Sequence, residues 1–366
     1  MTIVALNAGS SSLKYAVFAD AERCDDGDGD VVLRGALDRI GAGGPADHAT
    51  AVGSVLDELD RRGVERPRAV GHRLVHGGPE HTEPAIVDGA LIAGLERAIP
   101  FAPLHLPAEL AAIAAVRARF GDLPQVVCFD TGFHRTLPRV ASQFALPHAW
   151  FEAGIRRYGF HGLSYEFIAA SLPAAQLRRA VFAHLGSGAS MVAVRDGRSI
   201  DTTMGLTPTG GLVMATRAGD LDPGLLIYLL DHGHDARSLA RLVDHEAGLL
   251  AISGTTGDMQ RLLELRATAP HAALAIDVFC YQARKSIGAL AAVLGGLDTL
   301  VFAGGIGEHA PAIRSEICRG LEHLGIALAD SANAAGAPII GTGRCAVHVV
   351  RTDEERMIAR HVRRLI

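Results

Sequence analysis

An apolar strand, a turn of small residues and a second apolar strand occur twice in this chain, and that duplication limits what it can fold into. The first copy runs from Ile3 through Asn7, Gly9 and Lys14 to Phe18. The second, weaker copy runs from Ala180 through His184, Gly186 and Gly188 to Val194, and the two align on Gly9 and Gly186. A glycine- and serine-rich hairpin turn presents backbone N–H groups and hydroxyls in a concave arrangement that suits a phosphate. Two such turns on two related halves imply a nucleotide held between two domains.

At 366 residues the chain has room for two domains, and 49% hydrophobic against 20% charged content implies a sizeable core. A formal net charge of −5 favours neither nucleic acid nor an anionic membrane as a partner. The five cysteines (Cys24, Cys128, Cys280, Cys318, Cys345) form no C-x-x-C pair and mostly sit in apolar runs, which points to free thiols and a cytoplasmic location. No basic region precedes the first apolar segment, which reads as a strand and not a leader peptide. The apolar stretch 287–305 is broken by Gly295, Gly296 and Asp298, so a buried helix running into a buried strand is expected there, not a membrane span.

Helical spacing covers residues 45–62, a strand covers 69–76, and an alanine-rich helix covers 106–120 with Pro107 near its start. A buried strand at 124–130 delivers Asp130 at its carboxyl end. In the second half a hairpin is expected near 181–202 and helices at about 222–232, 235–245 and 269–294. A strand at 299–303 then enters a glycine-rich segment and a helix at 311–323. An amphipathic helix at 353–363 should dock back on the N-terminal half, and the acidic stretch 25–30 is expected to be a solvated turn. Hairpins alternating with strand–helix units indicate an α/β fold with mixed sheets.

Several polar residues fall at strand ends or in turns, where a scaffold presents function. Lys14 beside the first turn is either an ordinary outward-facing strand residue or a phosphate ligand. Arg73, between His72 and an apolar run, has no packing use in its strand. Asp130 could cap the following turn or orient a reacting group. His161 lies between Gly159 and Gly162, which permit close backbone approach. Arg217 sits in the long loop-like segment 204–224, and long ordered loops are usually functional. Arg73 and Arg217 together could hold a carboxylate and a phosphoryl group, since planar guanidinium matches both.

Two local patterns invite other readings. Residues 231–235 are rich in Asp and His, but they follow a helix and read as its solvated cap more than as a metal site. Gly305, Gly307 and Ala310 fit a dinucleotide fingerprint, with Asp330 as its ribose-binding acid, which would make an NAD-dependent oxidoreductase. That pattern leaves the first turn, the repeat and both arginines unexplained. No P-loop or zinc-helix motif is present.

Taken together, 7–14, 71–73, 129–131, 158–162, 184–186, 204–223, 304–308 and 351–355 closely resemble the acetate kinase family of acetate, propionate and butyrate kinases, in family order and from Ile3 to the last helix. The resemblance implies the fold of the sugar kinase, chaperone and actin superfamily: duplicated ribonuclease-H-like (actin-like ATPase) domains with mixed sheets and an interdomain ATP cleft. It implies an N-terminal domain of residues 1–129 plus 355–366 and a C-terminal nucleotide-binding and dimerisation domain of residues 130–354. The implied reaction is reversible Mg²⁺-dependent (Mn²⁺ as a substitute) phosphoryl transfer between ATP and acetate, giving acetyl phosphate and ADP, in a homodimer. Propionate or another short-chain carboxylate is the neighbouring substrate choice, and a nucleotide-switch ATPase is the reading from another class.

By the same resemblance Asn7 and Glu354 would hold the metal and Lys14 would meet the nucleotide phosphates. His184, Leu185, Gly186, Ser187, Gly188, Asp258, Met259, Gln260, Gly305, Ile306, Gly307, Glu308 and His309 would line the ATP site. Arg73 would bind the substrate beside Asp130, while His161 and Arg217 would stabilise the transferring phosphoryl group. Val75, Leu104, Phe160 and Pro208 would form the pocket for the substrate methyl. The chain departs from the family pattern at Leu163, Tyr165, Thr209–Gly211, Gln260 and His309, which bears on rate, nucleotide preference and substrate size.

Overall fold

The computed structural model describes residues 1–9, 12–19, 30–103 and 105–366. Ser10, Ser11, Cys24, most of the acidic stretch 25–30 and Leu104 therefore lie outside the described residues. The chain divides into two compact units. One comprises Met1–Phe133, Gly162–Phe167 and Asp353–Ile366, and the other His134–His161 and Ile168–Thr352. Residues 130–133, 162–167 and 353–354, which the sequence assigns to the second domain, thus fall in the first unit. Leu163 is the physical reason, since it is 1% exposed and packs among Ile3, Ala5 and Val126.

The first unit is built on β1 (Thr2–Ala8), β2 (Ser12–Ala19), β3 (Val31–Asp38), β4 (Ala69–Leu74), β5 (Ala85–Ile86) and β6 (Gln125–Phe129). They form one sheet in the order β3-β2-β1-β4-β6-β5, with β1, β4 and β6 parallel and the rest antiparallel. Alternation along β1 sends Val4 and Leu6 to one face, against Val52, Val55 and Leu56 of helix His48–Arg61 and Val116 of helix Leu106–Phe120. Ile3 and Ala5 go to the other face, against Met357, Ile358 and Val362 of the last helix, Glu354–Leu365. A strand covered on both sides needs a continuous apolar run, and β1 has one.

The second unit repeats the scheme with β7 (Ala180–Leu185), β8 (Ala189–Arg195), β9 (Arg198–Thr202), β10 (Thr299–Ala303) and β11 (Ala346–Val349). Their order is β11-β10-β7-β8-β9, again with one antiparallel meander and a parallel pair on each side of β10. Read from the meander inwards, β9-β8-β7-β10-β11 matches β3-β2-β1-β4-β6. The duplication seen in sequence is a duplicated sheet, and the α/β class with mixed sheets and repeated ribonuclease-H-like units is the observed one.

Most expected elements appear within a few residues of their expected ends. Helix 269–294 is observed as Pro270–Leu294, and 106–120 as Leu106–Phe120. Two differ. The glycine-rich segment after β10 is itself helical, Gly304–His309, and the helix expected at 311–323 ends at Cys318. Residues 235–245 divide into a helix, Ala236–Arg241, and a π-helical turn, Leu242–Glu246. Asp235 caps the former with a reciprocal Ser238 bond, which accounts for the Asp- and His-rich cluster as a helix boundary. Among the described residues no helix is long and apolar enough to cross a membrane.

The last helix approaches β4 so closely that a Cβ on Gly71 would lie 2.3 Å from Ile358 Cγ2. Ile358 is fully buried there. Ile358→Ala should therefore cost about 2–5 kcal/mol of stability, the range for a large-to-small change in a packed core. Urea unfolding followed by circular dichroism measures it; an unmoved midpoint would show that this helix is not part of the core.

Candidate active site

Register assembles the first group of residues. Asn7 on β1 stands opposite Lys14 on β2 and opposite Arg73 on β4, so one row across three strands carries all three. Asp130 follows directly after β6, whose Phe129 pairs with Leu74. Arg73 Nε donates to Asp130 Oδ1 at 3.0 Å and Nη2 pairs with the other carboxylate oxygen. Its Nη1 donates to the Ala8 carbonyl at 2.7 Å. Burial works against the guanidinium charge, but Asp130 and the fields of Glu354 and Glu109 outweigh it and hold Arg73 firmly protonated. Asp130 is 1% exposed, so the ion pair is a built element of the site and not a surface contact.

The last helix begins beside this row. Asp353 accepts from Arg356 N at 2.9 Å and caps it. Asn7 Nδ2 donates to Glu354 Oε2 and Glu355 Oε1, both at 2.9 Å. Burial pushes both glutamates above the usual carboxylate range, with Asp130 adding to it at Glu354 and Glu354 adding to it at Glu355. Two half-buried carboxylates held together by one amide offer oxygen donors of the kind that suits a hard divalent cation. Glu355 was missed in the sequence, where only its neighbour was singled out.

The second group lies in the other unit. The β7–β8 turn closes with Gly186 N donating to the Gly188 carbonyl at 3.0 Å. His161 stacks on His184, ring centroids 4.3 Å apart and planes at 20°. Its Nδ1 is 2.8 Å from the fully buried Ser190 hydroxyl. His161 also holds φ = 63°, a left-handed conformation uncommon outside glycine. A Cβ on Gly188 would lie 3.4 Å from His161 Nε2 and 3.6 Å from Arg217 Nη1. An imidazole nitrogen and a guanidinium nitrogen thus face one point on the turn, where a side chain would intrude. Arg217 Nη1 also donates to the Pro208 carbonyl at 3.3 Å, fixing the loop on which Pro208 sits.

Beside that turn is a cavity of about 1120 Å³. Of the residues expected at a nucleotide, Gly186, Ser187, Asp258, Met259, Gln260, Gly305, Ile306 and His309 line it, together with the unforeseen Ala215, Thr216 and Gly257. Leu185 and Gly307 are buried, and the Gly307 carbonyl accepts from Arg314 at 2.8 Å. Glu308 turns back to accept from Gly304 N at 3.1 Å and lines a separate cavity of about 430 Å³. Asp330 opens a short helix, Asp330–Ala334, and is exposed, not at the end of a neighbouring strand as a dinucleotide site requires.

Val75 and Phe160 are buried at 2% and 1% exposure, each in its own unit. Leu163 and Tyr165 are core residues of the first unit, with Tyr165 tilted against Phe133 at 5.9 Å between centroids. Gln260 and His309, by contrast, are exposed at the cavity wall.

Across residues 2–360 the chain matches the acetokinase family. It belongs to that family. It is 42% identical to an acetate kinase of Nitrobacter hamburgensis, with 100% of this chain and 96% of the relative aligned. It is similar to the crystal structure of Porphyromonas gingivalis acetate kinase at a TM-score of 0.87 and 34% identity, covering 98% of each chain. It is also similar to a propionate kinase from Francisella tularensis at a TM-score of 0.92 and 33% identity, covering 100% of each.

One neighbour of Arg73 gives the site strand an acid limit. His72 is 2% exposed and 2.8 Å from Gln125 Oε1. Burial pushes its pKa from 6.5 down to about 4, with the Gln125 bond opposing. Because the unfolded chain takes up the proton first, this contribution is complete above about pH 6.5 and is lost as pH falls towards 4. The loss should be on the order of 2 kcal/mol between pH 7 and pH 5. Urea midpoints at the two pH values, compared with those of His72→Leu, measure it: the variant should lose less.

Proposed function

We propose that this chain is an ATP:acetate phosphotransferase, reversibly forming acetyl phosphate and ADP. The observation that carries the reading is the family match over nearly the whole chain, beside the Arg73–Asp130 pair of the first unit and the cavity and Arg217 of the second. An oxygen of the acetate carboxylate attacks the γ-phosphorus of ATP, the bond from that phosphorus to the β,γ-bridging oxygen breaks, and ADP leaves. Such a transfer is promoted by positioning and electrostatic stabilisation.

Arg73, oriented by Asp130, binds the carboxylate. His161 and Arg217 stabilise charge on the phosphoryl group as it passes, and Lys14 meets the nucleotide phosphates. Asp258–Gln260, the turn at 184–188 and the segment 305–309 hold the nucleotide. Glu354 and Asn7, joined by Glu355, would hold Mg²⁺ or Mn²⁺, which when bound neutralises phosphate charge. By the family resemblance Val75, Leu104, Phe160 and Pro208 would form the pocket for the substrate methyl. The first unit, with Asn7, Arg73, Asp130 and Glu354, would carry the substrate and metal groups, and the second unit the nucleotide site.

The active species on this reading is a homodimer. Helix Pro223–Asp231 supports it: its Ile227, Tyr228 and Leu230 are 61%, 56% and 46% exposed, an apolar face suited to a second copy. Four buried free cysteines suit a cytoplasmic location.

Arg73→Ala and Arg217→Ala should each slow acetate-dependent ADP formation by about 10²–10³-fold, the usual cost of removing a stabiliser of developing charge. A coupled ADP assay on folded protein tests it, and near-parental rates in either variant would remove that arginine from the site. The same assay run without acetate separates this reading from a switch ATPase, which would release ADP regardless. Acetate should outrank propionate and propionate should outrank butyrate, since an extra methylene in a packed pocket costs roughly 1–3 kcal/mol. A butyrate kcat/KM at or above that of acetate would place the methyl elsewhere.

A further inference from the structure

A third carboxylate stands beside Arg73, and nothing in the reaction above uses it. Glu109 lies on the first turn of helix Leu106–Phe120, on the face it shares with Leu106, Ala112, Ile113 and Val116. It is 2% exposed, and both its oxygens are 3.1 Å from the backbone N of Val75. Val75 and Arg73 belong to the acyl part of the site on the reading given above, and the present inference rests on that reading. We propose that Glu109 is a positioning residue for the carboxylate substrate: it fixes the Val75 backbone, and its charge state sets how much of Arg73's field an incoming anion meets.

Arg73 is already paired with Asp130 on one edge and faces Glu354 as well. An ionised Glu109 adds another anion to the same guanidinium, so a substrate carboxylate binds better while Glu109 is neutral. The charged groups acting on Glu109 are Arg73 from β4 and Asp130 beyond β6. The nearby His76 ring has its Nδ1 accepting from Gly78 N at 2.8 Å and stacks on Phe101. Burial raises the Glu109 pKa to about 8, with Arg73 and the Val75 N–H pulling it down and Asp130 adding to the rise. Below that pH Glu109 is neutral and above it anionic, so substrate binding is linked to proton uptake and weakens in alkali.

The test is the KM for acetate from pH 6 to 9.5 at saturating nucleotide and metal. In the parent protein KM should rise above about pH 8, by up to tenfold per pH unit. Glu109→Gln keeps an acceptor for Val75 without the charge and should flatten that rise. Glu109→Leu leaves the Val75 N–H without an acceptor and should raise KM across the whole range. A flat parent profile, or an equal rise in the Gln variant, overturns the proposal. Calorimetry of acetate binding to the parent at pH 8, in buffers of different ionisation enthalpy, reads the linked proton directly if a variant does not fold; zero uptake overturns it. Absence of acetate-dependent ADP formation at every pH would instead overturn the kinase reading and this inference with it.

Discussion

The contact of the last helix with β1 and β4 is the constraint on which the first half of the site depends. Gly71 leaves room for Ile358, Ile358 seats the helix, and the helix brings Glu354 and Glu355 to Asn7. Residues separated by 347 positions in sequence therefore meet at 2.9 Å. Apolar packing on one side of the sheet thus fixes the position of the groups proposed to handle charge.

Those groups are arranged around a single guanidinium. Arg73 faces the buried Asp130 and Glu109 and the half-buried Glu354, and desolvation raises the two glutamates while Arg73 stays charged. A buried ion pair is weak evidence for stability, since desolvation offsets its attraction. What it provides is orientation: Asp130 takes one edge of the guanidinium and the Ala8 carbonyl takes part of the other. On the proposed reading, an anion received next to these carboxylates would meet a field that depends on the charge state of Glu109.

In the second unit the same hairpin serves a different end. Its turn exposes Gly188 to His161 and Arg217, and its strand β7 runs beside β10, so that His184 pairs with Ala303 just before the helix Gly304–His309. The duplicated sheet order places both hairpin turns at the carboxyl ends of parallel strands, where α/β sheets bind ligands. Departures from the family pattern divide accordingly. Leu163 and Tyr165 are packing changes in a core, whereas Gln260 and His309 stand exposed at the cavity wall.

Much of this was legible in the chain itself. Strand alternation, helix spacing, turn glycines and the repeated hairpin are local signals, so the elements and the duplicated α/β class follow from sequence. Arg73 stood out as a charge in an apolar strand, Asp130 as the end of a buried strand, His161 by its flanking glycines and Arg217 by its long ordered loop. Glu109 carried a signal too, a carboxylate on the buried face of an alanine-rich helix, but its partner Val75 N is a backbone group that no sequence pattern marks. The pairing of Asn7 with Lys14 and Arg73, the reach of Glu355 and the bond from Ser190 to His161 were decided only by tertiary structure. Register and packing join residues far apart in the chain, and side-chain period alone leaves their partners unspecified.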